Sequence, residues 1–599
     1  MAAKVFSDAG GNWSDNAAWV GGSPAVNGDT VTATGTSGNI TIDVASACTS
    51  IILTNYVGIL TFNAALTVGG TVTFVSGMGT IAGSSDLICT TTATLTSGGK
   101  VLSGGLQLGG TSQTFTLGDN WSVTGVLNFN GTTGTVLTGT AKIITVAGGL
   151  TVGVNVTTAT TPGIIMTGGS WTGAGILRIN LTFQGGTITL LNGSNYFDTK
   201  TLTYTSGTIV VTGNTLQCAA STTFVGNDLH WNNVTVTGGG ASFSILIPAI
   251  FYVDGTLTCA MTGNHTFSNN YYAMIVGALT ISGSGGTLNF PGNVTVTGAL
   301  TVTVVGTLTL QTIQAGYNGT AASFLITGAA TILAGYGTWT IAGTTTITAN
   351  VTFNVGLGSP TWSTAGFIHG AYNVGGTATI ILTGGTWSGT GTWAPGVTLS
   401  GTITIDAGTR YCGSLSYTTG VITLAGVNLS CAQASPIFNT DPLVWDSLIL
   451  TYTASAVTVT INSLLSISGT FTLANVATTF AGTAGFTVGT LTNTTITATR
   501  IITFANDKTY TITAAFTTVH AAAQTVRFTF TSDHASIKAI IILGPGTTQS
   551  VGFVDPIRID SSAGQQIFSF KGVITTCLNW ISAYPVNTAL NDSQFHIGI

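Results

Sequence analysis

The chain has 599 residues, of which only 5% are charged and none is glutamate, and its net charge is −5. Twelve scattered basic residues leave no positive surface on which to grip a phosphate backbone, which excludes nucleic acid as a partner. Thr, Gly, Val, Ile, Ser and Asn are used where a helical protein would use Glu, Lys, Arg, Ala and Leu, so the fold class read from composition is all-β.

The first 46 residues hold Lys4, Asp8, Asp15 and Asp29 and read as an N-terminal cap or attachment segment. Their start, MAAKVFSDAGGNWSDN, has no apolar h-region and does not read as a secretory signal peptide. Repeats begin after it. LTVGGTVTF at 66–74 is echoed by FYVDGTLTC at 251–259 and LSISGTFTL at 465–473, with Gly70, Gly255 and Gly469 in register. A longer duplication joins TGGSWTGAG at 167–175 to TGGTWSGTG at 383–391. It pairs Tyr204 with Tyr417, Cys218 with Cys431 and Trp231 with Trp445, at offsets of 216, 213 and 214. The organisation expected is therefore module 1 over 47–228, module 2 over 229–442, a truncated module 3 over 443–499, and a C-terminal β-domain or capping region over 500–599.

Within a module the texture is short strands broken by glycine. In 293–310, Val294, Val296, Leu300, Val302, Val304, Leu308 and Leu310 fall mostly on alternate positions with threonines between, which places one face inside and coats the other with hydroxyls. Strands of about five residues with long self-similarity predict a parallel β-helix, or β-solenoid, in which each coil stacks on the last. An array of β-sandwiches is the rival. At roughly 20 residues per coil, 47–499 would form some 20 coils and a rod on the order of 100 Å. Stacking also explains the scarce charge: equivalent positions lie about 4.8 Å apart, so like charges would meet, whereas Thr, Ser and Asn ladders bond one another. The longest apolar run, 243–253, is broken by Ser and Pro and falls short of the roughly 20 residues of a spanning helix, so no membrane insertion is expected.

Catalytic vocabulary is thin. Asp228, Asp254, Asp406 and Asp441 are far apart in sequence and do not read as the paired carboxyls of a glycosidase. A lyase needs a base beside acids, and no Lys or Arg lies between Lys200 and Arg410. The closest grouping, Asp555, Arg558 and Asp560, reads as a turn with a surface ion pair. His230, His265, His369, His520, His534 and His596 are isolated, and Asp228 with His230 supplies only two ligands, so no metal or other cofactor is expected. Seven cysteines without CxxC spacing read as buried free thiols. Trp171, Trp231, Trp387, Trp393 and Trp445 are the remaining candidates: exposed along a groove they would stack on sugar rings, and buried they would fill coil corners with each indole N–H bonded to a carbonyl. The duplication favours the second.

The opening NWSDNAAWVGGSPAVNGDTVTAT, with Trp13, Trp19, Pro24 and Asp29, the modules of LTVGGTVTF type, and the ending VGFVDPIRIDSSAG then CLNW together resemble the Thr/Gly-rich parallel β-helical appendage proteins of bacteriophage virions and bacterial surfaces. That resemblance implies a structural or adhesive role, a homo-oligomer with a trimer favoured, and contacts with other virion proteins or a host surface glycan. The function expected is a non-enzymatic virion protein, a tail or head fibre or capsid-associated appendage. A bacterial surface adhesin or extracellular filament subunit is the alternative, and a tailspike-like carbohydrate-active enzyme the third reading.

Overall fold

The computed structural model describes residues 2–191, 193–226, 229–237, 242–246, 250–268, 273–290, 292–312, 317–334, 337–355, 361–519, 527–570 and 574–583. Alternation does as the sequence predicts: the seven apolar residues named in 293–310 are all buried. The chain is a parallel β-solenoid of about 23 turns, 59% strand. Among the described residues the helical element is the 3-10 turn Asn16–Ala18, and no helix is long and apolar enough to cross a membrane. The apolar run at 243–253 runs into strands instead, Ser242–Leu246 and Phe251–Met261.

One turn shows how the coil closes. Ser50–Ile52, Leu60–Phe62 and Leu66–Val68 form its three sides, and Val72–Thr73 then returns to lie parallel beside Ser50–Ile52. Leu66, Leu87, Leu106, Leu127, Leu150 and Trp171 are successive rungs of one inward column, 21, 19, 21, 23 and 21 residues apart. Each is buried. Outward positions stack as hydroxyl ladders: Thr94 faces Thr116, Thr116 faces Thr138, and Thr138 Oγ1 donates to Thr116 Oγ1 at 3.0 Å.

Two compact units are present, Met1–Val305 with Leu310–Gly319, and Gly306–Thr309 with Thr320–Ile599. The first unit begins on a buried aromatic cluster in which Phe6, Trp13 and Trp19 have ring centroids 4.0 to 5.6 Å apart. In the second, the parallel ladder runs on past residue 499, through Arg500–Phe504, Phe528–Ser532 and Val554–Ile557.

The duplication read from the sequence is also a duplication of geometry. Tyr204 donates its hydroxyl to Gly207 O at 2.8 Å, and Tyr417 to Gly420 O at 2.9 Å. Thr205 Oγ1 donates to Phe183 O at 3.0 Å and Thr418 Oγ1 to Leu399 O at 3.1 Å. Gly169 and Gly385, which precede the paired tryptophans, both turn at positive φ, 77° and 64°. Gly70, Gly255 and Gly469 share a different requirement: a Cβ on any of them would press on the carbonyl oxygen of the coil before, that of Thr49, Asn232 or Asp446.

Candidate functional site

The five tryptophans lie inside. Trp171 sits between Leu150 and Leu190 on the neighbouring coils, and Trp387 between Phe367 and Ile405. Trp231 pairs in register with Val253 and Trp445 with Ile467, while Trp393 packs edge-on against Phe367 at 4.5 Å. Their exposures are 1% for Trp171 and Trp231, 0% for Trp387 and Trp445, and 3% for Trp393. Sugar stacking needs an open ring face, and none of these indoles offers one.

The expectation that each buried N–H meets a carbonyl holds for Trp393, whose Nε1 donates to Pro395 O at 2.9 Å. The indole N–H groups of Trp171, Trp387 and Trp445 instead find no acceptor among the described residues. Leaving such a donor unpaired costs about 1–3 kcal/mol. Burying 150–250 Å² of ring contributes about 4–6 kcal/mol at 25 cal/mol/Å². Packing wins, which is why the position tolerates the orphan donor.

The charged residues of VDPIRID do not converge. Asp555 Oδ1 takes an ion pair from Arg527 Nη1 at 2.6 Å. Arg558 Nη2 donates to Thr531 Oγ1 at 3.0 Å, and Asp560 Oδ1 accepts from the Ser562 amide at 2.9 Å and hydroxyl at 2.6 Å. Desolvation works against the Asp560 charge, but the Ser562 bonds and the Lys538 charge bring its pKa below the ordinary carboxylate value. Three charges thus serve three separate structural contacts.

One exposed polar cluster does assemble, across adjoining coils. His230 and Tyr252 are partners in register on parallel strands, and their rings stack at 4.1 Å with an interplanar angle of 7°. His230 Nδ1 lies 2.8 Å from Asp254 Oδ1, with side chains 48% and 58% exposed. When Nδ1 carries the proton and donates it to the carboxylate, the Nε2 lone pair becomes available as an acceptor, base or ligand. In the truncated module 3 the three matching positions hold Val444, Ser466 and Ser468, and Val444 pairs with Ser466 as His230 does with Tyr252. The scaffold therefore forms without the cluster. Sequence reading had set His230 beside Asp228, two residues away on one strand. The partner seen is one coil further on, at Asp254. Asp228, His520 and His596 lie outside the described residues, and among the described residues no group of three His, Cys or Asp could hold a metal ion.

Two basic side chains, Arg410 and His369, are buried. Arg410, 3% exposed, sends Nη1 to Gly389 O at 2.8 Å and Thr409 O at 3.1 Å, and Nη2 to Ala407 O at 3.2 Å. It occupies the place of Asn195 in the first copy. His369, 2% exposed, has Nδ1 2.9 Å from Tyr372 O. Burial, and secondarily the Arg410 charge, hold its pKa below the ordinary histidine value against the pull of the Tyr372 carbonyl. Six cysteines are buried and Cys577 is half-buried, all as free thiols. Burial pushes Cys48, Cys89 and Cys259 up to about 12, which leaves them inert as nucleophiles. The chain matches no family model, no curated protein and no solved structure.

Proposed function

We propose that this chain is a non-enzymatic structural protein of a phage virion, a tail or head fibre or a capsid-associated appendage, assembled as a homotrimer with other virion proteins and contacting the host. The supporting observation is how the residues are used. Coil after coil, apolar side chains and tryptophans fill the interior, and threonine ladders such as Thr458, Thr479, Thr503 and Thr531 cover the outside. Acids and bases serve as ion pairs and caps. In this reading the host-facing contact is the cluster of exposed His230 and Asp254 with half-buried Tyr252, which offers an aromatic and hydrogen-bonding surface to a glycan.

Mass spectrometry of purified particles tests the assignment. The chain is expected among the structural proteins of the particle, and recombinant material is expected to weigh three times the 60.5 kDa protomer by light scattering. A chain absent from particles but accessible to antibody on intact bacteria would make it the adhesin or filament subunit instead.

A further inference from the structure

Seven thiols in one solenoid raise the question of which can meet. Strands Gly408–Cys412 and Val427–Cys431 are parallel neighbours, and Cys412 is the direct register partner of Cys431. Paired Cα atoms in such a ladder are about 4.7–4.9 Å apart, inside the 4.4–6.8 Å range typical of bridged cysteines. Both residues are buried, at 0% and 1% exposure. Each is the last residue of its strand, and Cys431 Sγ reaches across to Gly413 O, 3.2 Å away, at the corner after Cys412. A small closing movement there distorts a corner rather than the middle of a ladder.

No other pair meets that condition. Cys48 and Cys89 flank Val68 on alternate coils, and Cys218 and Cys259 flank Val236 in the same way. Two rungs are about 9.6 Å, beyond the roughly 7 Å limit for a bridge. Cys577, between the Ile559 amide and the Thr575 carbonyl, has backbone partners only. The first copy of the unit carries Phe197 where the second has Cys412, and Cys218 where the second has Cys431. The fold therefore accepts a single thiol at this place, and the facing pair is particular to the second copy.

We propose that Cys412 and Cys431 are a modification site at which two adjoining coils are joined by a disulfide. The oxidant is a small-molecule disulfide such as oxidised glutathione. The Cys431 thiolate attacks one of its sulfurs, a mixed disulfide forms, and one glutathione leaves as thiolate. Cys412 then gives its proton to solvent and attacks the Cys431 sulfur, and the second glutathione leaves. Two protein thiols are oxidised and one glutathione disulfide is reduced to two thiols. Exchange takes place while the coils are open, during folding or local unfolding, and closure then shields the bond from reductants.

The test uses the full chain, refolded in a glutathione redox buffer, acid-quenched, alkylated in denaturant and mapped without reduction by mass spectrometry. Alkylatable thiols are expected to fall from seven to five, with one cross-linked peptide joining Cys412 to Cys431. Cys218→Ala is expected to keep that cross-link and Cys431→Ala to abolish it. Seven alkylated thiols after refolding in oxidised glutathione, or a cross-link joining any other pair, would overturn the proposal. The unsubstituted chain decides this alone, so a variant that fails to fold leaves the result intact.

Discussion

Arg410, in the middle of strand Gly408–Cys412, spends its guanidinium on carbonyl oxygens of Gly389, Ala407 and Thr409, and its first-copy counterpart is an asparagine. Truncation leaves those buried acceptors without a donor. Arg410→Ala is therefore expected to destabilise by about 3 kcal/mol or more, read as a lowered urea midpoint, and Arg410→Asn by less. His369, close enough to feel the Arg410 charge, makes this part of the coil sensitive to acid. Its pKa in the fold lies below the ordinary 6.5, so the fold holds the neutral ring. Stability from this residue is complete above the unfolded value and is lost as pH falls through the lower folded value. Melting temperature should drop on acidification below about pH 6, and His369→Gln should flatten that part of the profile. The tryptophans give a differential measurement. Trp171→Phe and Trp387→Phe each remove an indole N–H that has no acceptor, whereas Trp393→Phe also gives up the bond to Pro395. Thermal unfolding should show Trp393→Phe as the costlier change by about 1 kcal/mol.

Corners decide which strands can stack. At Gly255 and Gly469 a methyl group would be driven against a backbone carbonyl of the preceding coil, and the ladder hydrogen bonds fix that carbonyl in place. Gly255→Ala and Gly469→Ala are expected to destabilise by about 1–3 kcal/mol, while Gly77→Ala, with nothing within 4 Å of its Cβ and no positive φ, should be neutral or slightly stabilising. Denaturant titration of the three variants separates these outcomes. The shared register of Gly70, Gly255 and Gly469 was visible in the sequence because close approach admits only one residue type. So was the parallel coil, since period-two alternation and self-similarity survive every substitution among Val, Ile and Leu. The pairing of His230 with Asp254 was not visible. Turns of 19 to 23 residues appear within one column, so a partner one coil away cannot be assigned to the residue from spacing alone. Nor could alternation tell which tryptophan N–H would lack an acceptor, because that depends on the ring's angle inside the coil.

Among the described residues, most rungs bond to residues about one coil away in sequence. The stability of the whole molecule is then close to a sum over coils and the contacts between neighbours. Hydrogen exchange should show protection changing in steps along the chain, with amides of one coil behaving together. Uniform exchange of all protected amides at a single rate would contradict this. The in-register stacking also constrains how such a gene can change length. Inserting one codon into a strand turns every later side chain of that strand to the opposite face, whereas gaining or losing a whole turn leaves each surviving rung with an acceptable neighbour. The offsets of 213 to 216 residues between the two copies correspond to about ten turns of roughly 21 residues. Unequal recombination between the repeated segments would therefore yield foldable products of discrete sizes, and a population of related genes should differ in length by multiples of one turn, with few intermediates.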